Sequence, residues 1–353
     1  MGKPNKMFNS KIQNEILDRT EKLLESLPKE RLREVIKRRF GLIDGNQETL
    51  ESIGKSYDIT RERVRQIEKD ALRILTERGN LLVLKPVFNH FDKIFREHHL
   101  IREERFLSEV SGFSTAHPVR SAVYLILTIG TSYQRVVEDH KFYTHWLVKI
   151  ESRKKAETII DYLLRHFQRH NRPFYLEEIV TFIKSRYEKI PEKLVYNSID
   201  VSKHIEQNVF GELGLVHWPE INPRGVRDKA YLVLKKAGEP QHFTKIADLI
   251  NKSNLSSSRP AHPQTVHNEL IKDSRFVLVG RGIYALVEWG YEPGAVKDVI
   301  IKILAKARKP LHREEIIKAV LEQRKVKRNT ILINLQSNKE FQRLEDGRYI
   351  LNA

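Results

Sequence analysis

Apolar positions in the first eighty residues recur at helical rather than strand spacing. Ile12, Ile16, Leu17, Leu23 and Leu24 predict one or two amphipathic turns of helix within Phe8 to Ser26. Lys29 to Phe40 is the next helix, with Pro28 where a first turn accepts it and Gly41 as its stop. Asp44-Gly45-Asn46 reads as a turn. Thr49 then offers a cap to a short helix carrying Leu50, Ile53 and Gly54 on one face. Tyr57-Asp58-Ile59 leaves room only for a corner, and Asp58 tolerates the left-handed backbone a corner needs. Thr60 caps a longer helix in which Val64, Ile67, Ala71, Leu72 and Leu75 face a core. Arg61, Glu62, Arg65 and Gln66 fall on the outward side of its first two turns.

Two helices around a tight corner, the second basic on its outer side, suit the major groove of B-DNA. Arg reads guanine there, Gln reads adenine and Glu accepts from cytosine. Arg61, Glu62, Arg65 and Gln66 are the candidate base readers. Arg63 and Lys55 are candidates for phosphate, with Thr49 and Thr60 at the helix starts, where the backbone favours an anion. The plainer reading is a solvated face on which Glu62, Arg65 and Glu68 form ordinary exposed pairs.

The stretch Leu27 to Leu75, with VIKRRFGL at 35–42, TLESIGKSYDIT at 49–60 and RERVRQIEKDALRIL at 61–75, resembles region four of bacterial housekeeping sigma factors, the C-terminal promoter-reading domain. The resemblance implies that Arg61, Glu62, Arg65 and Gln66 contact an upstream promoter element. It also implies that the helices matching Gln13 to Phe40 help dock on the flap of the RNA polymerase β subunit. Sigma factors carry a promoter-melting module before this domain, whereas a dozen residues precede the first helix here. A complete initiation factor is therefore not expected.

Beyond Gly79-Asn80, where the sigma-like unit should close, the pattern repeats. Pro173, Pro240 and Pro310 each follow an apolar helix (156–167, 230–237, 299–305) and each precede an Ile by six residues: Ile179, Ile246 and Ile316. The local strings are RPFYLEEIV, EPQHFTKIA and KPLHREEII. A further helix and an apolar hairpin follow each (214–218, 276–289, 341–351), with glycine turns at 279–282 and 345–348. Helix, short strand-like link, two helices and a hairpin describe a winged helix. Residues 223–291 resemble the HARE-type helix-turn-helix domain of the RNA polymerase δ subunit, through AYLVL at 230–234, HFTKIA at 242–247 and RFVLVGRGIYAL at 275–286. Residues 80–150 are a candidate degenerate fourth copy, with helices at 81–97, 103–110 and 118–127 and strands at 133–137 and 142–148. Pro219, Pro223, Gly225, Gly290, Pro293 and Gly294 mark linkers.

Charge sharpens this picture. A net charge of +17 over 353 residues points to a polyanionic partner. The chain has no cysteine, which removes disulfides, thiol catalysis and cysteine-ligated zinc. No apolar run reaches a membrane span and the N-terminus lacks a signal-peptide core, so a soluble cytoplasmic, nucleoid-associated protein is expected. Gly54-Lys55-Ser56 lacks the upstream glycine of a phosphate-binding loop. His166 and His170 lack a third metal ligand, and His98-His99 is read likewise. Glu177-Glu178 and Glu314-Glu315 suit helix starts. Trp146, Trp218 and Trp289 read as core plugs.

The expected fold is mainly α with small β-hairpin wings. A sigma-type helix-turn-helix domain (1–79) precedes three winged-helix units (151–222, 223–291, 292–353), with 80–150 the candidate fourth. The expected function is sequence-specific, non-enzymatic regulation of transcription, with double-stranded DNA as partner, polymerase as a second one, and no cofactor, metal or small-molecule ligand. The rival readings are a polymerase-binding accessory protein that no longer reads DNA, and a binder of structured RNA. In the winged units, a helix over 264–272 could enter a groove with Arg281 on phosphate, although Glu269 and Asp273 lower its charge. The last unit carries more cations, among them Lys306, Arg308, Lys309, Arg324, Lys325, Lys327 and Arg328, and ranks first for phosphate contact.

Overall fold

A computed structural model describes residues 10–253, 255, 260–291 and 294–352. Phe8 and Asn9 of the first expected helix, and the linker residue Pro293, lie outside the described residues. The chain is mostly helical, with four small antiparallel sheets among the described residues. It divides into two compact units: residues up to Gln207 with Gly211–Val216, and Asn208–Phe210 with His217 onward.

The first unit opens with α1 (Ser10–Glu25), α2 (Glu30–Phe40), α3 (Leu50–Ser56) and α4 (Arg61–Leu75), as the apolar spacing predicts. Gly41 ends α2 at φ 70, and its N–H bonds back to Arg38 O and Lys37 O. A short helix, α5 (Arg78–Leu81), and one 3-10 turn (Leu82–Leu84) lead into α6 (Lys85–His98). The single helix expected over 81–97 is thus broken near its start, and Pro86 sits in the first turn of α6, where a missing N–H costs nothing.

From here one order of elements occurs four times: helix, edge strand, two helices, hairpin. The first set is α6, β1 (Leu100–Arg102), α7 (Glu103–Ser111), α8 (Pro118–Ile129), β2 (Gln134–Val136) and β3 (His145–Leu147). The second is α9 (Ile150–His170), β4 (Phe174–Tyr175), α10 (Leu176–Arg186), α11 (Glu192–Val201), β5 (Ile205–Gln207) and β6 (Glu212–Leu215). In the second unit the third set is α12 (Val226–Ala237), β7 (Gln241–His242), α13 (Phe243–Lys252), α14 (Pro263–Lys272), β8 (Phe276–Gly280) and β9 (Ile283–Leu286). The fourth is α15 (Val296–Ala307), β10 (Leu311–His312), α16 (Arg313–Gln323), α17 (Arg328–Ser337), β11 (Phe341–Arg343) and β12 (Arg348–Leu351). In every sheet the last strand lies between the first two.

The repeat has a local cause. Each first helix ends on a residue with positive φ (His99, Asn171, Gly238, Arg308), which turns the chain towards its edge strand. The next helix then buries its fourth residue fully or nearly so: Phe106, Ile179, Ile246 and Ile316. In the first set β1 begins directly after His99, with no proline link, which is why the proline spacing does not extend to it. Glu178 and Glu315 accept from the backbone N–H of Tyr175 (2.9 Å) and His312 (2.7 Å), so these carboxylates cap helices. His166 packs among His170, Phe174 and Phe182. Trp146 is buried in β3 and donates to Glu103 at 2.8 Å. Trp218 and Trp289 are only half-buried.

One apolar cluster runs from Ile16, Leu23, Ile36 and Phe40 through Ala71 and Leu75 to Phe91, Phe106, Leu127 and Trp146, crossing the boundary expected at residue 79. Polar contacts follow the same seam. Gln13 donates to Ser111 O at 2.7 Å, Arg19 to Val83 O at 2.8 Å, and the rings of Phe40 and Tyr124 lie 6.0 Å apart. Gly45 closes it: at φ 92, a Cβ there would sit 2.2 Å from the backbone N of His117.

Gly45→Ala should therefore destabilise the chain by about 1–3 kcal/mol through overpacking and φ strain together. A urea midpoint unchanged from wild type would show that the loop is not held against α8.

Candidate nucleic-acid interface

The corner between α3 and α4 is set by short-range chemistry. The Thr49 hydroxyl accepts from Ser52 N at 3.1 Å and that of Thr60 from Arg63 N at 3.2 Å, so both serve as N-caps. Asp58 adopts φ 52, the left-handed state expected of it. Gly54 is buried because the chain doubles back over it: Ile59 N bonds to Gly54 O at 3.0 Å, and a Cβ at Gly54 would meet Ile59 O at 2.7 Å.

α4 is anchored in two places. Val64 and Ile67 pack with Val35 and Ile53 in a small cluster belonging to the helix-turn-helix, while Ala71 and Leu75 enter the larger core. Leu72, expected in the core, is half-buried. The helix is thus held along its length, with its opposite face in solvent.

Polar cross-links tie α2 to both later helices. Arg38 grips Glu48 with two bonds of 2.7 Å and also donates to Ser56 Oγ at 2.6 Å. Arg39 reaches Glu68 at 3.2 Å and Glu48 O at 3.0 Å. The Arg38 guanidinium, with help from the Ser52 hydroxyl, holds the Glu48 carboxyl below its ordinary 4.5. Glu68 therefore faces inward, away from the exposed pairs in which the plainer reading placed it.

All eight sequence-derived candidates are exposed: Thr49, Lys55, Thr60, Arg61, Glu62, Arg63, Arg65 and Gln66. Four of them are paired with each other. Arg65 makes two bonds to Glu62 (2.6 and 2.8 Å), which lowers the Glu62 pKa and raises that of Arg65. Arg63 donates to Gln66 at 3.0 Å. Lys55 pairs with Glu51 at 2.9 Å. The plainer reading is thus correct for Glu62 and Arg65 in the free chain. Such exposed pairs are screened by water and contribute little, so a phosphate or base edge can displace them cheaply. Lys69 and Arg73 continue the stripe at i+4 and i+8 from Arg65 and are exposed. Their spacing signals membership of the face, although neither is among the sequence-derived candidates.

The fold of this segment is that of a helix-turn-helix domain. Comparison with known proteins narrows the class: residues 23–77 match the family model for Sigma-70, region 4. The chain is 47% identical over 74 residues to RNA polymerase sigma factor SigA of Nostoc sp., covering 21% of this chain and 18% of that protein. It is 53% identical over 55 residues to SigA of Clostridium acetobutylicum, covering 15% and 14%. It is 51% identical over 65 residues to sigma factor RpoS of Coxiella burnetii, covering 18% of each. The chain thus spans less than a fifth of the length of these relatives.

Two measurements test the scaffold. Gly54→Ala adds a better helix former, yet the contact with Ile59 O should make it about 1–3 kcal/mol less stable; a more stable variant would refute the close approach. Glu48 is the second test. A depressed carboxyl contributes stability that is complete above its unfolded value and is lost as pH falls through its folded one. Between about pH 6 and about pH 3, wild type should lose more stability than Glu48→Gln, and parallel curves would mean the Arg38 pair contributes nothing.

Proposed function

We propose that the chain is a sequence-specific DNA-binding regulator of transcription whose sigma-like head reads a promoter-type duplex element. In this reading Arg61, Glu62, Arg65 and Gln66 face base edges, Arg63 and Lys55 face phosphate, and Thr49 and Thr60 present the two helix starts. The observation that carries it is the two-point anchorage of α4 beneath an exposed polar face, in a segment matching Sigma-70 region 4. Residues 85–351 are four winged-helix units, the third of them HARE-like, strung behind the head. Association with RNA polymerase is part of the proposal, in the cytoplasm and at the nucleoid. No helix among the described residues is long and apolar enough to cross a membrane.

DNA reading ranks above flap docking for a packing reason. Ile16, Ile36 and Phe40, on the helices expected to dock, are buried in the chain's own core. The outward face of α4 carries no such burden.

Selection of bound sequences from a random duplex pool tests the reading, with Arg61→Ala/Arg65→Ala/Gln66→Ala run alongside wild type. A motif should appear with wild type and vanish with the variant. On that motif, Arg65→Ala or Gln66→Ala alone should cost about 1–3 kcal/mol, with little loss on random duplex. If no motif emerges and polymerase co-purifies after nuclease treatment, the head is a docking module instead.

A further inference from the structure

The four units are alike in topology but not in what their third helices face. In the first, α8 is buried over most of its surface (Val119, Val123, Leu125, Leu127 and Ile129 among others) within the core shared with the head. In the second, α11 is held against the first unit: Asn197 donates to His98 O at 2.8 Å and accepts from Arg105 at 2.9 Å, and Tyr143 N bonds Val201 O at 2.8 Å. α8 is thus a core element, and α11, although Lys193 and Tyr196 stay exposed, is fixed along its other side against the first unit.

The third helices of the other two units are buried on one side only. α14 buries Val266 and Leu270 and exposes Gln264, Thr265 and Asn268. α17 buries Ile331 and Leu335 and exposes Asn329 and Thr330 at the positions matching Gln264 and Thr265; each exposed face also carries one isoleucine, Ile271 on α14 and Ile333 on α17. Amides and threonines are side chains that hydrogen-bond base edges, and neither exposed face carries a carboxylate. The acids that argued against α14 are neutralised. Glu269 pairs with Arg227 at 3.1 Å, and Asp273 with Arg275 at 2.6 Å.

These two units are also welded together. Lys325 N bonds Val279 O at 2.9 Å, and Arg324, expected on a phosphate-facing surface, is instead 3% exposed, with its guanidinium on Leu278 O (2.6 Å) and Gly294 O (2.7 Å). The residues just before α17 thereby meet the hairpin of the preceding unit. Arg281 at that hairpin's tip, Lys325 and Lys327 are all exposed, and no carboxylate pairs with them among the described residues. Arg328 beside them pairs with Glu314.

We propose that the second compact unit carries its own duplex-DNA surface, built across this weld, with Arg281, Lys325 and Lys327 on the phosphate backbone and the polar faces of α14 and α17 towards the groove. The partner is duplex DNA because cations gathered beside uncharged hydrogen-bonding faces complement a polyanion with polar edges.

The test uses the full chain on random duplex, so that it is read independently of any motif recognised by the head. Arg281→Ala/Lys325→Ala/Lys327→Ala should lower the slope of log affinity against log salt by about 2–3 and weaken binding roughly 10- to 100-fold. The motif selected by the head should be unchanged. Amide exchange in 263–272 and 325–337 should slow when duplex is added to wild type. If the triple variant melts early, Lys327→Glu alone, at a cap whose side chain bonds nothing in its helix, should still lower the slope by about 1. An unchanged slope with no exchange protection would overturn the proposal. So would tighter binding of the same sequence as RNA, or a variant that loses polymerase while keeping DNA.

Discussion

The burial of α1 and α2 against the first of the four repeated units is the constraint on which the rest of the first compact unit depends. The helix-turn-helix holds a small cluster separate from the main core. Val35, Ile53, Val64 and Ile67 make a cluster too small to hold four helices firmly. The main apolar mass lies on the other side of α2, where Phe40 and Ile36 join residues as far along the chain as Trp146. That mass fixes the C-terminal half of α4 through Ala71 and Leu75, and the Arg38–Glu48 and Arg39–Glu68 bonds fix the helix pair in front of it. The exposed face of α4 is held rigidly because everything behind it is packed.

One repeated topology thus serves two purposes. Where the third helix is apolar on nearly all sides, as α8 is, it can only be a core element. In α14 and α17 burial uses one side only, through Val266 and Leu270 and through Ile331 and Leu335, and leaves amides and threonines, with one isoleucine each, in solvent. The difference lies in composition rather than backbone, since the order of elements and strands is the same in all four. Duplicated units of this kind can be converted from surface to scaffold by exchanging polar residues for apolar ones on a single helix.

Features with local causes were legible in the sequence. Thr49, Thr60, Gly41 and Asp58 act through bonds or backbone states within a few residues, and each does what its type predicts. The three proline-marked repeats were legible for the same reason. The first repeat was harder to read because His99 turns directly into β1 and removes the proline link. The shared core across residue 79 was not legible, since periodicity shows that a face is buried but not by what. Arg324 shows the same limit for charge. Its neighbours in a basic run stay in solvent, while backbone carbonyls of the preceding unit capture its guanidinium. The candidate readers on α4 were named correctly as exposed, but their mutual pairing depends on rotamers that spacing alone leaves open.

That pairing bears on how the head would discriminate. Glu62 and Arg65 satisfy each other in water, so leaving the pair costs little, and a non-specific phosphate can already take Arg65 away. A groove that accepts Arg65 on guanine but offers Glu62 only phosphate oxygens would place a carboxylate against like charge. Under the proposed function Glu62 would then act mainly by exclusion, penalising sites that lack a donor opposite it such as a cytosine amino group. On the proposed function, specificity would come from the mismatch of one acid among several cations, and the cations would supply affinity that sequence does not alter.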